Sequence, residues 1–478
     1  MQKENLMKTS SNKTGLALAV LMCILVFGGC KQRSTNENSG PDSTITENDK
    51  VFLDTLELRT FHYFWDLADL NTGLIPDRAP TKSFSSISAT GFGLASYVIG
   101  VERGYVSRQD AAARVLKTLK FFWNAPMGSD ATGVAGYKGF YYHFLDMSTG
   151  ERFKNVELST IDTTWLLAGI LTCRDYFDGS SADETQIRAL ADSINNRVDW
   201  PWITKSDGLV SMGWHPESGF LNAEWSGYNE GMFLYVLALG SPTHPLPGSA
   251  WTKWTQTYQW GNFYGYLGVQ FGPLFGHQYS QMFVDYKGIQ DAYMKQKGSD
   301  YFENAKNATL GQIAYAEKNQ KQFDGYGENV WGLTACDGPG DTTATINGNT
   351  VHFRGYSARG EASNYDVDDG TIAPTAAGGS IPYTPQRSIA ALKYMKDNYP
   401  GIWSDYGFKD SFNPTWPNKK SGEKAWYDKD YLGIDQGPIL IMAENYRTGL
   451  IWNLLKKDSV VVLGLKKAGF SGGWLNTK

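Results

Sequence analysis

The fold is decided by the stretch Ser226-Gly-Tyr-Asn-Glu230-Gly-Met-Phe-Leu-Tyr-Val-Leu-Ala-Leu239. An amide and a carboxylate open this stretch, and an almost unbroken apolar run follows them. A helix that is apolar on every side is buried inside a larger assembly of helices, whereas a surface helix keeps one polar face. The stretch therefore predicts a buried helix from Tyr228 to Leu239, with its polar start facing a cavity.

The same arrangement recurs along the chain, because several predicted helices begin with polar residues and then become apolar and rich in small residues. These openings are Ser88-Ala-Thr-Gly-Phe-Gly93, Ser159-Thr-Ile-Asp162-Thr-Thr164, Gly227-Tyr-Asn-Glu230, His277-Gln-Tyr-Ser280, Gly433-Ile-Asp435-Gln-Gly437 and, more faintly, Pro385-Gln-Arg-Ser388. More amphipathic, charged helices alternate with them. The alternation predicts an all-α fold, an α/α toroid of six inner and six outer helices, whose entrance loops converge on one face.

Helical periodicity predicts ten helices, and Ser107 and Ser159 are suitable N-caps for two of them. The predicted ranges are Val51 to Leu70, Ile87 to Arg103, Arg108 to Trp123, Leu158 to Phe177, Glu184 to Val198, Tyr228 to Leu239, Gln278 to Tyr286, Tyr301 to Asn319, Pro385 to Met395 and Gly437 to Leu455. Strand signals are few. Residues 342–353 contain the turn Asn347-Gly348-Asn349 and predict a small β-hairpin insertion.

The composition is that of a large soluble catalytic or binding domain. The chain has 478 residues, of which 41% are hydrophobic and 19% are charged, and its net charge is −5. We expect one domain over residues 50–478, acting as a monomer, and the absence of a basic face argues against nucleic acid as a partner. The 16 Trp, 27 Tyr and 24 Phe residues exceed what a core needs and suggest a cleft that stacks on its ligand.

The N-terminus has the pattern of an export signal. Three lysines precede the apolar run from Leu16 to Phe27, and Gly28-Gly29-Cys30 follows it. Small residues before a cysteine resemble a bacterial lipoprotein signal, which predicts a signal peptide over residues 1–29 and lipid attachment at Cys30; ordinary cleavage is the alternative. Residues 30–49 are polar and predict a flexible tether. We expect an exported lipoprotein, periplasmic or attached to the outer membrane, that meets the membrane only through this anchor.

Two cysteines remain in the body of the domain, Cys173 and Cys336. Cys173 lies in an apolar helical stretch, which predicts a buried free thiol. The chain has no Cys-x-x-Cys pair, so a structural zinc site is not expected.

The surroundings of Glu230 are those of a site that cleaves sugars. Trp225 and Tyr228 flank it, aromatic rings stack on pyranose faces, and an apolar setting raises the pKa of a carboxyl group so that it holds a proton near neutrality. The alternative is that Glu230 only favours a helix N-terminus through the helix dipole.

Ten short motifs, in order from about residue 50 to residue 455, carry a resemblance to a known family. They are Phe61-His-Tyr-Phe-Trp65, Gly73-Leu-Ile-Pro-Asp77-Arg78, Ser88-Ala-Thr-Gly-Phe-Gly-Leu94, Tyr142-His-Phe-Leu-Asp146-Met, Ser159-Thr-Ile-Asp162, Gly227-Tyr-Asn-Glu230, Ser241-Pro-Thr-His244-Pro, Gly272-Pro-Leu-Phe, Trp331-Gly-Leu-Thr and Gly433-Ile-Asp435-Gln-Gly. Together they resemble the bacterial glycoamylase-like family, which includes the family 144 endo-β-1,2-glucanases. The resemblance implies an (α/α)6 barrel and an inverting glycoside hydrolase that acts on a glucan oligo- or polysaccharide without a metal or other cofactor.

Inverting hydrolysis needs two carboxyl groups about 6.5–9.5 Å apart, one as the acid and one to activate water. We assign the acid to Glu230 and the base to Asp435, which the glycines at 433 and 437 leave accessible; the alternative for Asp435 is a helix N-cap. Asp162 is the rival for the base. It begins a very apolar helix, where an unpaired charge would be costly unless it faced the cavity. Water could also reach the substrate through a relay, so the base need not touch the attacking water directly.

Further polar and aromatic residues near the openings are candidates for substrate binding. Arg78 could hold a sugar hydroxyl or only pair with a carboxylate, and each aromatic residue could belong to the core instead. The candidates are Arg78, Tyr142, His143, Asp146, Glu157, Trp225, Tyr228, Asn229, His277, Gln278 and Trp426.

Endo-hydrolysis of β-1,2-glucan is the leading functional hypothesis. A glucoamylase-like hydrolase of α-glucan and a non-catalytic surface lipoprotein that binds glycans are the alternatives. A polysaccharide lyase would need a basic cleft for uronates, which this acidic chain does not indicate.

Overall fold

Helices dominate residues 45–477, which are the residues that the computed structural model describes. Within that range the α-helices are α1 (Glu47–Leu67), α2 (Ile87–Glu102), α3 (Arg108–Asn124), α4 (Thr160–Tyr176), α5 (Ala182–Asn196), α6 (Trp200–Ile203), α7 (Met232–Gly240), α8 (Ser249–Thr255), α9 (Phe275–Phe283), α10 (Ala292–Lys297), α11 (Tyr301–Lys318), α12 (Pro374–Gly378), α13 (Pro385–Asn398), α14 (Gly433–Arg447), α15 (Leu450–Leu455) and α16 (Ser459–Lys467). Two 3-10 turns, Pro400–Ile402 and Gly473–Thr477, complete the helical elements.

Each of the ten predicted helices is present, with ends that differ by a few residues. The serine caps form as predicted: the Ser107 side chain accepts from the backbone of Asp110, and Ser159 accepts from that of Asp162. The last predicted helix is divided into α14 and α15, because Gly449 adopts a left-handed conformation with φ of 70°. Five helices, α6, α8, α10, α12 and α16, were not predicted.

The predicted difference between buried and half-exposed helices is present. Every residue of α7 is buried, and so are almost all residues of α2, α4 and α9. In contrast, α3 and α5 bury only one face each. The close approach of α2 to α4 depends on two glycines, since a Cβ on Gly169 would lie 1.9 Å from the carbonyl oxygen of Gly91.

The buried helices contact one another near their N-terminal ends. On α9, the Ser280 hydroxyl accepts from the Phe233 backbone of α7 at 3.0 Å, and the Gln278 amide donates to the Ala376 carbonyl of α12 at 2.8 Å. On α12, the Thr375 hydroxyl donates to the Asp435 carbonyl of α14 at 2.8 Å. Glycine 433 of α14 packs against Ala89 of α2. These contacts bring the helix starts that carry the predicted acids into one neighbourhood.

Short antiparallel strands occupy the loops, so the all-α expectation understates the β-structure. The strands are β1 (Arg78–Ala79), β2 (Ser85–Ser86), β3 (Gly136–Tyr137), β4 (Phe140–Tyr142), β5 (Phe144–Leu145), β6 (Leu158–Ser159), β7 (Gly213–His215), β8 (Gly219–Phe220), β9 (Trp260–Phe263), β10 (Tyr266–Val269), β11 (Ala335–Cys336), β12 (Thr342–Ile346), β13 (Asn349–Phe353), β14 (Ser357–Ala358), β15 (Gly360–Ala362), β16 (Tyr365–Val367), β17 (Trp403–Ser404), β18 (Gly407–Phe408), β19 (Phe412–Asn413), β20 (Trp426–Tyr427) and β21 (Tyr431–Leu432).

Several strands run directly into buried helices and fix where those helices begin. Strand β2 leads into α2, β6 into α4, and β21 into α14. Strand β6 lies inside a five-stranded sheet of order β3-β4-β6-β7-β8, while β1 pairs with β21 and β2 with β5. The strands therefore connect the entrance loops to one another. The predicted hairpin is confirmed as β12 and β13, with Asn347 and Gly348 at positive φ in the turn.

Other sequence predictions have different outcomes. Cys173 is a buried free thiol as predicted, and Cys336 is also buried and free. The predicted signal peptide, Cys30 and almost all of the tether lie outside the described residues. Within residues 45–477, the helices are all too short or too polar to cross a bilayer.

Candidate active site

Asp162 lies in the first turn of α4 and is held by three neighbours. Its carboxylate accepts hydrogen bonds from the hydroxyls of Ser88, at the start of α2, and of Ser159, the N-cap of its own helix. The Nε2 atom of His143 lies 3.4 Å from the same carboxylate. Asp162 is therefore a buried carboxylate with its hydrogen-bonding capacity largely used.

His143 joins two of the predicted site residues. Its Nδ1 atom lies 2.8 Å from the Glu157 carboxylate, while its Nε2 atom faces Asp162. Burial of the ring opposes a positive charge, but the carboxylates of Asp162 and Glu157 outweigh that effect and raise the pKa of His143 to about 9. The ring is therefore a cation near neutral pH, fixed between two acids.

Glu230 lies in the turn immediately before α7 rather than inside the helix, and its side chain is partly exposed. Its backbone carbonyl accepts a hydrogen bond from Ser280 at 2.8 Å, which holds the turn against α9. Withdrawal from bulk water raises the pKa of Glu230 to about 7, and the charge of Asp162 adds to the shift. A carboxyl group with this pKa holds a proton at neutral pH and can release it, as a general acid must.

Asp435 lies in the first turn of α14 and is almost fully buried. It is not the N-cap, because Leu432 precedes the helix in that position. Its Oδ2 atom has no hydrogen-bond partner within the described residues, and the same is true of Oδ1 of Asp410. A buried, unpaired carboxylate oxygen is costly, which favours a proton on these two groups.

The pKa values of the two groups agree with a shared proton. Burial raises the pKa of Asp410 far above its usual range, and the charge of Asp435 adds to it. Burial also raises the pKa of Asp435, to about 7, and the hydrogen bond from Asp410 limits the rise. Asp410 is therefore the member that keeps the proton, and Asp435 is the member that can act as a base near neutrality.

Arg78 pairs with carboxylates, the second of the two roles that the sequence left open. Its Nε atom donates to Asp77 at 3.1 Å and its Nη1 atom to Asp337 at 2.6 Å. The Asp337 backbone in turn donates to Asp410 at 2.6 Å. Arg78 thus supplies positive charge next to the Asp410–Asp435 pair and reduces the cost of gathering these acids.

A cation is a second possible source of neutralisation for this group of acids. Asp337, Asp410 and Asp428 each offer a carboxylate oxygen within 4.8 Å of the others, the one such group found within residues 45–477. Carboxylate oxygens are ligands for Ca²⁺ and Mg²⁺. Arg78 and a proton shared by the acids already compensate part of this negative charge. The expectation from the sequence that no metal is needed remains a prediction.

Tyr279 connects the two predicted catalytic carboxyls. It lies on α9, and its hydroxyl donates to the Ile434 carbonyl of α14 at 3.3 Å. Burial raises the pKa of Tyr279 well above its usual range, and the charges of Asp435 and Glu230 both add to the shift. The Tyr279 hydroxyl is therefore within the electrostatic influence of both Glu230 and Asp435.

Other predicted binding residues have structural partners of their own. Tyr142 is fully buried, with the Arg152 guanidinium 4.7 Å from its ring centroid, and Asp146 closes a surface turn by accepting from the backbone of Ser148 and Thr149. Trp225 is buried, and its indole donates to Thr160 at 2.9 Å. Their proposed contacts with substrate remain predictions.

Four further predicted binding residues have structural partners of their own. Tyr228 is buried and stacks on Tyr301 with ring centroids 5.9 Å apart, and the Asn229 side chain accepts from the Gly231 backbone within the turn before α7. His277 is buried beside Tyr228, and desolvation lowers its pKa to about 4, so it is neutral. Gln278 donates to Ala376 and Ser380 between helices. Their proposed contacts with substrate also remain predictions.

Trp426 lies on β20, two residues before Asp428, and packs on the cluster formed by Phe323, Val351, Phe353 and Trp416. Instead, the partly exposed rings of Phe84 and Phe144 stand beside the site, with Phe144 stacked on His143 at a centroid distance of 3.9 Å. Sequence reasoning missed Phe84 and Asp410. Phe144 stood inside the Tyr142-to-Asp146 motif, which was the available signal.

Comparisons with known proteins give a consistent set of relatives. The Glycoamylase family model, described as "Putative glucoamylase", matches residues 222–459. The chain is 31% identical over 460 residues to the curated "Exo beta-1,2-glucooligosaccharide sophorohydrolase (non-reducing end)" of Parabacteroides distasonis; the match covers 89% of this chain and 58% of that protein, so the chain spans less than two thirds of its length.

Solved structures match over nearly the whole domain. A "putative glucoamylase" from Bacteroides fragilis NCTC 9343 is 33% identical with a TM-score of 0.78, covering 91% of this chain and 100% of that chain. The endo-beta-1,2-glucanase from Chitinophaga pinensis, solved with sophorotriose and glucose, is 30% identical with a TM-score of 0.77, covering 90% of this chain and 100% of that chain.

Proposed function

The chain belongs to the glycoamylase family, and from this membership we propose that it is an inverting glycoside hydrolase that cuts β-1,2-glucan internally. Its similarity to the endo-beta-1,2-glucanase of Chitinophaga pinensis and to the sophorohydrolase of Parabacteroides distasonis supports the choice of linkage. The relatives called glucoamylases keep hydrolysis of α-glucan as the alternative.

One observation carries the proposal: a carboxyl group that holds a proton near neutrality and a buried carboxyl pair both act on the same hydroxyl, that of Tyr279. Glu230, with a pKa of about 7, supplies the proton that the leaving oxygen requires. Asp435, next to the protonated Asp410, supplies the base that takes a proton from the attacking water. A non-catalytic glycan-binding protein has no need for two such groups.

The chemistry follows from the different surroundings of these groups. Glu230 gives its proton to the glycosidic oxygen as the bond to the anomeric carbon breaks. A water molecule attacks that carbon from the opposite face and loses its proton towards Asp435, directly or through other waters. Asp162 and the cationic His143 stay fixed beside Glu230, where the charge of Asp162 helps the acid retain its proton before the reaction.

The buried helices α2, α4, α7, α9, α12 and α14 fit the inner ring of the proposed (α/α)6 toroid. The consecutive contacts between their N-terminal ends, together with the half-exposed α3 and α5, support this arrangement. We extend the proposal to the N-terminus, where the sequence pattern at Cys30 supports export and lipid attachment. Metabolic labelling of the full chain with a tritiated fatty acid tests it: label must enter the wild type and be lost in Cys30→Ala.

A panel of glucans tests the proposed activity. Linear β-1,2-glucan should yield β-1,2-oligosaccharides of several lengths from the earliest time points, while starch and β-1,3- and β-1,4-glucans should yield none. Release of the disaccharide sophorose alone would replace internal cutting by the exo action named for the Parabacteroides relative. Products from starch only would establish the α-glucan alternative.

A further inference from the structure

Tyr356 is the most exposed aromatic residue among the large hydrophobic side chains of residues 45–477, with 58% of its surface accessible. Its ring contacts no other aromatic ring there, and its hydroxyl makes no hydrogen bond. Most aromatic residues in the described part of the chain are packed into clusters, so an exposed ring on an ordered loop is a candidate for a binding role.

The position of Tyr356 follows from strand register. Strands β11 and β14 are antiparallel, with Ala335 opposite Ala358 and Cys336 opposite Ser357. Continuing this register by one residue puts Tyr356 opposite Asp337, whose carboxylate binds Arg78 beside the Asp410–Asp435 pair. The backbone position that carries the ring therefore lies at the edge of the acid cluster.

The backbone that carries Tyr356 is firmly held from below. The guanidinium of Arg359 donates to the carbonyls of Arg354 at 2.9 Å and Gly355 at 3.1 Å. Arg359 is fully buried and forms a two-pronged ion pair with Asp369, both contacts being 2.8 Å. Asp369 also accepts from the Arg354 backbone at 2.9 Å. These bonds hold the backbone of the loop in place. The Tyr356 side chain that follows is not held by any of them.

The preceding hairpin fixes the same loop from the other side. Phe353, the last residue of β13, packs edge-on against Trp416 with ring centroids 4.8 Å apart. The hairpin therefore contributes to the cleft as a support for the 354–356 loop, a role that the sequence did not indicate.

The electrostatic surroundings agree with a ring that projects into the cleft. The protein around Tyr356 and the charges of Asp435 and Asp410 raise the pKa of its hydroxyl well above the usual range. Tyr356 in turn contributes to the raised pKa of Tyr279. The hydroxyl therefore stays protonated and can donate a hydrogen bond. With 58% of its surface accessible, the side chain stands open to water while these charges act on its hydroxyl.

We propose that Tyr356 is a substrate-positioning residue, whose ring stacks on the glucose unit bound on the Asp435 side of the scissile bond. The inference rests on the proposed glucan hydrolysis and adds a residue to its binding cleft. An aromatic face offers a sugar ring contact area at low cost in conformational entropy, because the tyrosine side chain has few rotatable bonds.

Steady-state kinetics of Tyr356→Ala and Tyr356→Phe on linear β-1,2-glucan test the proposal. For Tyr356→Ala we expect KM to rise about tenfold or more with kcat changed less than about threefold, because the lost contact serves binding. Tyr356→Phe keeps the ring and should stay within about threefold of the wild type in KM. Tyr394→Ala, at an exposed tyrosine on α13, is the matched control and should leave both constants unchanged.

The readouts separate this proposal from the proposed function. If the wild type cleaves β-1,2-glucan and Tyr356→Ala keeps its KM within twofold, or loses kcat alone, the positioning role is overturned while the function stands. If the wild type cleaves none, the function itself falls. Should Tyr356→Ala unfold, Tyr356→Leu keeps the side-chain bulk without a flat face, and a wild-type KM in that variant would overturn the proposal.

Discussion

Replacing Glu230 by glutamine should remove most hydrolysis while leaving substrate binding intact. The amide keeps the size and polarity of the side chain, but its N–H is far too weak an acid to protonate the leaving oxygen. The environment raises the pKa of this group from 4.5 to about 7, so the protonated fraction at pH 7 rises from about 0.3% to about half. General acid catalysis contributes about 10²- to 10⁴-fold, and we expect kcat of Glu230→Gln to fall by that amount.

The assay compares two substrates that differ in their need for an acid. One is linear β-1,2-glucan, whose leaving group is a sugar hydroxyl; the other is a β-1,2-linked glucosyl fluoride, whose fluoride leaves with little protonation. The loss should be large on the glucan and about tenfold or less on the fluoride. In the wild type, kcat on the glucan should fall as pH rises above about 7, where Glu230 loses its proton.

The control for this substitution is Glu224→Gln, six residues away, where the carboxylate pairs with Lys205 at 3.3 Å. That variant should retain wild-type kcat on both substrates. Equal losses of Glu230→Gln on the glucan and the fluoride would refute the role of Glu230 as proton donor, and more than a tenth of wild-type activity on the glucan would refute it as well.

Three further outcomes follow from the structure. Asp410→Ala removes the proton donor to Asp435, so the acidic limb of the kcat profile should move to higher pH by about one unit, whereas Asp410→Asn still donates and should not move it. A limb that shifts equally in both variants, or in neither, contradicts the shared proton. Gly169→Ala places a Cβ against the Gly91 carbonyl and should lower the free energy of unfolding in urea by about 3 kcal/mol, while Gly327→Ala, with open space around it, should not. Prolonged dialysis against a chelator should leave activity unchanged, because Arg78 and shared protons compensate the acid cluster; loss of activity that Ca²⁺ restores would place a cation there.

The sequence predicted the helices well because their signals are local. A polar residue at the start of an apolar run, as at Ser159, states both where α4 begins and that it is buried. The first-turn acids Asp162 and Asp435 were found in this way, and Glu230 was found in the turn just before such a helix. The residues of α16 lie beyond the last motif and were overlooked, although their Asp458 cap is an ordinary start signal.

The remainder of the site could not be predicted, because its contacts join residues far apart in sequence. Asp410 lies in a loop between β18 and β19 without periodicity, and only folding brings it to Asp435. Proximity in sequence also does not say which way a side chain faces, as at Tyr228, whose contact with substrate stays a prediction. Consecutive side chains in a turn point in different directions, and Tyr228 instead packs on Tyr301 in the core.

The short strands escaped prediction for a related reason. Two-residue strands such as β1 and β21 have no alternating pattern of their own and exist because Arg78 pairs with Leu432 across the fold. They nevertheless fix the start of α14 and hence the position of Asp435. Non-local pairing of this kind is set by the tertiary structure, as strand propensity in general depends on context.

Proton NMR of the first product released from linear β-1,2-glucan shows the anomeric form of its new reducing end and so tests the roles assigned to Glu230 and Asp435. Attack by water from the face opposite the leaving group, as the separate roles of Glu230 and Asp435 require, predicts that new reducing ends appear first as the α-anomer and then equilibrate. Reducing ends that appear first as the β-anomer, or a failure of the wild-type protein to release any, would contradict these roles.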